Sequence, residues 1–340
     1  MSGMRIDIGL VVPPDEAAQR ARELAATGVD GLFTFENAHD VFFPLVMAAG
    51  TTDVDLMTNV AIAFPRSPVH LAHAAYDMQV LARGRFRLGL GSQIKPQIER
   101  RYGATWSRPA ARMREMVLAI KAIFACWERE APLDFRGEFT THTLMTPYFD
   151  PGPNPYGPPP VLVGALGPRM TEITAEVADG LLVMPFNSEH HLRERTEPAI
   201  TRGLAAGGRA PGDLEIIAEV IVATGRTDQE LTEAAAGAKT LLSFYGSTPS
   251  YRPVLDVEGW GDLQPELNAM SKRGEWRQMT DLVDDTMLQT LAVWGTPEDC
   301  ARRIVDRFGW LADRVCCYFP YGSITDERVA ELVTAIRAVG

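Results

Sequence analysis

Paired cysteines, a basic excess and long apolar runs are all missing from this chain of 340 residues. None of its four cysteines forms a Cys-x-x-Cys pair or stands beside histidines at zinc-binding spacing, so the sequence indicates neither a disulfide framework nor a metal site. The formal net charge of −11 argues against a general binder of nucleic acid or of anionic membranes, because phosphate groups repel such a surface. No apolar run reaches the ~18 residues of a membrane span and no signal-peptide pattern is visible, so we expect a cytoplasmic protein.

What the chain does contain is a repeated alternation of short apolar runs with amphipathic helical stretches. Eight runs fit strands, at 5–12, 30–36, 54–64, 85–91, 160–165, 180–184, 214–223 and 314–319. Strands that alternate with helices pair in parallel through right-handed crossovers. The sequence therefore predicts an α/β fold, a (β/α)₈ TIM barrel forming a single domain over 1–340. A doubly wound open sheet is the alternative.

Two segments interrupt this alternation. Residues 130–160, after the helix that follows strand four, are rich in proline, glycine and aromatic residues, which excludes a helix there. Residues 246–275, between strands seven and eight, contain SFYGSTPSYRP and GWGDLQPEL and also predict irregular structure. We expect the first segment to pass over one end of the barrel, and both segments to shape a substrate pocket.

Polar residues at the carboxyl ends of the strands are the first functional candidates, because active sites of such barrels lie there. Glu36 and His39 follow strand two, and a histidine beside a carboxylate can exchange protons near neutral pH. These two residues are therefore the candidate catalytic pair. The alternative is that His39 and Asp40 only cap the next helix.

The turns after strands four and five favour an anionic ligand. Residues 83–114 carry nine basic residues against Glu99 alone, a local bias that indicates an anion site or, alternatively, a solvated helix face. After strand five, Gly167 leads into a helix that begins at Pro168, and the exposed N–H groups of a helix N-terminus bind phosphate. Arg169 could add a charge-assisted contact.

The segments GRFRLGLGSQIKPQIERRYG and PYGPPPVLVGALGPRMTEITAEVADGLLVMP together resemble the luciferase-like flavin and deazaflavin oxidoreductases. The closer resemblance is to a subgroup that depends on coenzyme F-420, and WGTPEDCARRIVDRF resembles the last helix of that group. The resemblance covers roughly residues 4–335. It implies a barrel with the cofactor ring across its mouth, hydride transfer between coenzyme F-420 and a small organic substrate, and a homodimer.

The resemblance also implies roles for residues at three strand ends. A cis peptide bond ends strand three in the family, which corresponds here to Asn59–Val60, and its bulge bends the cofactor ring. In the family, residues after strand four contact the cofactor ring, and these correspond here to Ser92, Gln93 and Ile94. Residues after strands five and six contact the phosphate-bearing tail, and these correspond to Ala165, Leu166, Gly167, Pro168 and Met184.

One departure from the family concerns the proton donor. Several relatives place a histidine immediately after the acidic residue of strand two, whereas Glu36 is followed here by Asn37, and His39 comes two positions later. Two other functions stay open at this point. One is a two-component monooxygenase that uses reduced FMN and a partner reductase, and the other is a flavin-binding barrel without catalysis.

Overall fold

A closed parallel barrel surrounded by helices is the core of the computed structural model, which describes residues 3–321 and 324–340. The first to eighth barrel strands are Arg5–Gly9, Gly31–Thr34, Asp55–Thr58, Phe86–Gly91, Val161–Ala165, Gly180–Val183, Glu215–Thr224 and Arg314–Tyr318. Each strand pairs in parallel with the next, and the first pairs with the eighth. The predicted (β/α)₈ TIM barrel is confirmed, and the open-sheet alternative is wrong.

Helices cover the outside of the barrel. The α-helices are Ala17–Ala26, Phe43–Ala49, Pro68–Leu81, Pro109–Trp127, Pro168–Val177, Glu189–His191, Glu197–Gly207, Asp228–Gly246, Arg252–Val257, Leu263–Arg273, Trp276–Asp281, Asp285–Leu291, Pro297–Phe308 and Asp326–Val339. Two π-helical segments, Gln97–Arg101 and Leu192–Thr196, and three 3₁₀ turns, Pro147–Phe149, Pro211–Asp213 and Pro249–Tyr251, accompany them. Short strands lie at Ala61–Ile62, Phe135–Arg136, Thr141–His142 and Val293–Gly295.

The side chains inside the barrel form layers, because alternate residues of a strand face the same side. At the amino ends of the strands lies a charged layer, made of Asp7, Asp55, Arg87, Glu215 and Arg314. Above it lies an apolar layer, made of Phe33, Met57, Leu162, Leu182, Ile217 and Cys316. The barrel is therefore packed shut below, and only its carboxyl end can open to a ligand.

Arg314 is the centre of the charged layer. It is 1% exposed, pairs with Asp7, and donates a hydrogen bond to Asp55 at 2.5 Å between Nη2 and Oδ2. Burial raises the pKa of Asp7 to about 6 although Arg314 opposes the shift. Gly31 leaves the room this pair needs, because a Cβ there would lie 2.4 Å from Asp7 Oδ1.

The prediction of irregular structure at 246–275 is wrong, because most of this segment is helical. The helix Leu263–Arg273 buries Leu267 and Met270 against Met279. Pro265 is compatible with this helix because it lies in the first turn, where the N–H groups have no partner within the helix. The apolar spacing in this segment was obscured by its prolines and glycines.

The segment 130–160 contains only a two-stranded hairpin and one 3₁₀ turn, as its composition predicts. Its predicted course over one end of the barrel stays a prediction, and two sets of its contacts are to outer helices. Glu115, on the helix Pro109–Trp127, accepts hydrogen bonds from the N–H groups of residues 138–140. Tyr76, on the helix Pro68–Leu81, donates to the carbonyl of Gly152 at 2.9 Å.

Two further expectations need correction. The third strand, predicted at 54–64, ends at Thr58 and resumes as Ala61–Ile62, since the cis bond lies between these two parts. The helix Pro297–Phe308 is not the last one, because Asp326–Val339 follows and packs against it. The apolar face of Asp326–Val339, with Val329, Leu332 and Ile336, covers the first and last units of the barrel.

Candidate active site at the barrel mouth

Val60 occupies the centre of the barrel mouth. The peptide bond between Asn59 and Val60 is cis, as the resemblance implies. A Cβ added at Gly91 would lie 2.3 Å from Val60 Cγ2, and one at Gly164 would lie 3.3 Å from Cγ1. The Val60 side chain, which packs on the apolar layer below, therefore fills the space that these glycines leave. Together the three residues form a platform of small, apolar surface.

Glu36, at the end of strand two, is held in an ion pair. Its carboxylate accepts from Arg66 and, at 3.2 Å, from the backbone N–H of Ile62. Tyr102 donates to its other oxygen at 3.4 Å. The Glu36 side chain is 10% exposed. Its carboxylate is therefore mostly buried, and its hydrogen bonds hold the chain that follows Val60 in place.

His39 is exposed on the loop after strand two. Its backbone N–H donates to Asn37 Oδ1 at 2.9 Å, which makes a local turn. Within residues 3–321 and 324–340, no hydrogen bond orients its imidazole, and none joins it to Glu36. The catalytic role predicted for this pair thus stays a prediction, with Glu36 and His39 in different surroundings.

The turn after strand four lies beside the Val60 platform. Ser92 and Ile94 are half-buried, and Gln93 between them has a φ of 57°. The Gln93 side chain accepts from the N–H of Ile94 at 3.0 Å, which fixes the turn. The three residues follow directly on Gly91, and their predicted contact to a cofactor ring stays a prediction.

The turn after strand five ends in an open helix N-terminus. Ala165 and Leu166 are buried, and Gly167 precedes the helix that begins at Pro168. A Cβ at Gly167 would meet nothing within 4 Å, and no side chain caps this helix. The N–H groups of its first turn are thus free to bind an anion.

Arg169 and Met184 flank this turn. The Arg169 side chain is 70% exposed and pairs with Glu172 at 2.7 Å between Nη1 and Oε1. Met184, just after strand six, is half-buried, and its N–H lies 3.4 Å from the carbonyl of Ala165. Arg169 lies in the first turn of this helix, and Met184 is brought beside the turn by its contact with Ala165. Their predicted contacts to a cofactor tail stay predictions.

The basic residues of 83–114 do not form one anion site. Arg87 lies at the closed end of the barrel, where it pairs with Glu215 at 2.9 Å between Nε and Oε2. Arg114 pairs with Glu176 on the outside of the barrel. The linear charge bias is divided between opposite ends and faces of the fold, so it does not itself indicate where an anion binds.

An acidic residue that the sequence interpretation missed lies inside the barrel. Glu219 is two residues beyond Ile217 on the inward face of strand seven, and it pairs in register with Cys316. Burial raises the pKa of its carboxyl group to about 8. The sequence does contain a signal for this residue. Glu219 is an acidic residue within the apolar run LEIIAEVIVA, two positions after Ile217, so it is expected on the same face of the strand.

Tyrosines enclose Glu219 on the side of strands six to eight. Burial and the neighbouring Glu219 raise the pKa of Tyr251 to about 12, and the pKa values of Tyr245 and Tyr318 also rise from these two causes. Tyr245 and Tyr251 pack edge to face, with ring centroids 6.0 Å apart. Tyr318 also borders a cavity of about 530 Å³ between strand eight and the helices Asp228–Gly246 and Trp276–Asp281.

Residues 3–321 and 324–340 contain neither a metal-binding cluster nor a helix that could span a membrane. No group of three or more histidine, cysteine, aspartate or glutamate side chains is arranged to hold a metal ion. No helix in these ranges is long and apolar enough to cross a membrane.

Residues 3–314 match the family described as luciferase-like monooxygenase, and the chain belongs to this family. An uncharacterized protein of Mycobacterium tuberculosis, Rv1360, is 46% identical over 304 residues, which is 89% of each chain. A 5,10-methylenetetrahydromethanopterin reductase of Archaeoglobus fulgidus is 29% identical over 264 residues, 76% of this chain and 75% of that one. The solved coenzyme F-420-dependent tetrahydromethanopterin reductase of Methanopyrus kandleri shares the fold, with a TM-score of 0.80 at 17% identity over 99% of this chain and 98% of that one.

Proposed function

We propose that this protein is an oxidoreductase that transfers a hydride between coenzyme F-420 and a small organic substrate. Family membership supports the class of enzyme, and the F-420-dependent reductase with the same fold supports the cofactor. One observation in this chain carries the proposal. The apolar platform around Val60 lies beside an uncapped helix N-terminus at Gly167, so a flat ring and a phosphate-bearing tail both have a place.

The residues at the mouth fit this cofactor. When bound, the deazaflavin supplies the carbon that gives or takes the hydride, and the protein supplies binding and orientation. Val60, with Gly91 and Gly164 beneath it, supports the ring. The buried Asn59 Nδ2 has no hydrogen-bond partner in the described part of the chain, so it is free to donate to a ring oxygen or nitrogen.

Ser92, Gln93 and Ile94 would flank the ring from strand four. The helix N-terminus at Gly167 and Pro168 would bind the phosphate through its free N–H groups, with Arg169 and Met184 beside the tail.

A titration of the purified apo-protein with coenzyme F-420 and with FMN tests the choice of cofactor. We expect F-420 to bind at least tenfold tighter, a difference of about 1.4 kcal/mol. Fluorescence quenching gives both dissociation constants. Equal or reversed affinities would contradict the proposal and favour the FMN-dependent monooxygenase.

A turnover assay separates an enzyme from a barrel that only binds the cofactor. A panel of enones and secondary alcohols, followed by the absorbance change of F-420, covers reduction and oxidation. For the proton that accompanies the hydride, the sequence predicts His39 with Glu36 beside it, and general acid–base assistance of this kind contributes ~10²–10⁴ in rate. His39→Ala and Glu36→Gln test that prediction.

A further inference from the structure

We propose that Glu219 is the catalytic acid and base of this site, which exchanges the proton that accompanies hydride transfer. This inference rests on the proposed function, because it assigns a residue to that reaction. It competes with the sequence-based prediction for His39. Four observations carry it: the position of Glu219, its lack of a partner, its accessible surface and the groups around it.

The position follows from the alternation of strand seven. Glu215, Ile217 and Glu219 share the inward face, with Glu215 in the charged layer and Ile217 in the apolar layer. Glu219 therefore comes one step nearer the mouth. Because Val183 pairs with Ala218, Glu219 is also adjacent to Met184 across the neighbouring strand.

Glu219 differs from the other acids inside the barrel in having no partner. Asp7 and Asp55 both pair with Arg314, and Glu215 pairs with Arg87. No hydrogen bond or ion pair to the carboxyl group of Glu219 is found in ranges 3–321 and 324–340. Burying a carboxyl group without a hydrogen-bond partner is costly even when the group is neutral, so a structural role alone does not account for this residue.

Part of the Glu219 surface remains accessible although the residue lies inside the barrel. In this proposal, a substrate bound in the mouth would meet Glu219 at this accessible surface. A closed packing position would instead leave this side chain without any exposed surface, as is the case for Cys316 beside it.

The groups near Glu219 are themselves neutral at neutral pH, so none of them stabilises its carboxylate form. They are the phenols of Tyr245, Tyr251 and Tyr318 and the thiol of Cys316, whose pKa values are all raised, so these groups stay neutral. Burial is the cause that raises the pKa of Glu219, and no cation compensates it. A carboxyl group that is protonated up to about pH 8 is a proton donor under ordinary conditions.

The reaction balances with this assignment. In the reductive direction the hydride forms a new C–H bond at the substrate carbonyl carbon, and the Glu219 O–H bond breaks as its proton forms the O–H bond of the product alcohol. The substrate gains two electrons and the reduced cofactor loses them. When bound, the reduced deazaflavin would supply the hydride and one proton, so the Glu219 carboxylate would regain its proton from solvent and the reaction would balance.

The first test needs no cofactor. An infrared pH titration of the ligand-free protein should show a protonated carboxyl band that disappears with a midpoint near pH 8. Glu219→Gln should lack this band, and Glu233→Gln, which changes an exposed residue of the helix Asp228–Gly246, should retain it. An identical band in the Glu219→Gln protein would overturn the proposal.

The second test measures turnover. Glu219→Gln should lower the rate by ~10²–10⁴ and leave the affinity for F-420 within a few fold. In the wild type, the rate of reduction should fall as pH rises through about 8, and the rate of alcohol oxidation should rise. Both dependences should be absent from Glu219→Gln.

Glu233→Gln, which changes an exposed residue of the helix Asp228–Gly246, is the control for turnover and should retain it within a few fold. Loss of turnover in His39→Ala together with full turnover in Glu219→Gln would overturn the assignment. Failure of the wild type to bind F-420 would instead contradict the proposed function, while the infrared titration would still decide whether Glu219 is protonated.

Discussion

Glu36 and Arg66 form an ion pair that binds both backbone groups of Ile62. Glu36 accepts from the Ile62 N–H at 3.2 Å, and Arg66 donates to the Ile62 carbonyl at 2.9 Å. The chain immediately after Val60 is thereby fixed at two points. Glu36, which the sequence predicts for proton transfer, thus positions the backbone of Ile62 in the fold.

Arg66→Ala should destabilise the protein and weaken cofactor binding. It removes a donor from a carboxylate that is largely buried, and hydrogen bonds to charged groups contribute about 1.5–3 kcal/mol. Urea unfolding measures the loss. Arg273→Ala, which breaks the exposed pair with Glu275, is the control and should leave the unfolding midpoint nearly unchanged. Equal midpoints for Arg66→Ala and the wild type would refute this reading of the ion pair.

Gly167→Asp should weaken F-420 binding strongly, whereas Gly167→Ser should not. Both residues cap a helix well, and the φ of −73° at this position suits either side chain. Only aspartate places a negative charge where the phosphate would bind. Fluorescence titration of the two variants measures the contrast, and equal affinities would show that the tail binds elsewhere.

Gly31→Ala should lower the free energy of unfolding by about 1–3 kcal/mol, the usual cost of overpacking. The new Cβ would lie 2.4 Å from Asp7 Oδ1 and 3.0 Å from Arg314 Nη1, so the buried ion pair must shift. Gly212→Ala, where nothing lies within 4 Å of the added Cβ, is the matched control. Denaturant unfolding of both variants tests whether the charged layer is as tightly packed as the structure shows.

Glu219→Gln should change the pH dependence of stability. The folded state holds the Glu219 proton up to about pH 8, whereas the unfolded chain releases it near 4.5. Folding therefore becomes less favourable as pH rises between these values, and the glutamine variant lacks this loss. Its melting temperature should exceed that of the wild type at pH 8–9 by more than at pH 5. A difference that does not vary with pH would contradict a protonated Glu219.

The homodimer predicted from the resemblance has a candidate surface. Phe43, Val46 and Met47 are exposed on the helix Phe43–Ala49, and Val80 and Leu81 are exposed on the neighbouring helix Pro68–Leu81. Sedimentation at micromolar concentration should give about twice the chain mass of 37.3 kDa. Phe43→Ser combined with Met47→Ser should shift the protein toward the monomer. A wild type that sediments as a monomer would contradict the prediction.

Local patterns predicted the barrel well. Strand and helix periods are set by neighbours in sequence, so seven of the eight strands overlap their predicted ranges without interruption, and the helix predicted to begin at Pro168 does so. The helices of 246–275 were missed because Pro265 and the nearby glycines are read locally as breaks. Their stability comes from packing of Leu267 and Met270 on distant residues, which a local pattern does not contain.

The sequence by itself determined the barrel, the family and the turns after strands three, four and five, because these depend on apolar periodicity and on short motifs. Only the tertiary structure decided how charges are used. It divided the basic residues of 83–114 between separate faces, paired Glu36 with Arg66, and left Glu219 inside the barrel without a partner among the residues that the structure describes. The physical reason is that the state of an ionisable group depends on burial and on partners far away in the chain, which adjacent residues do not specify.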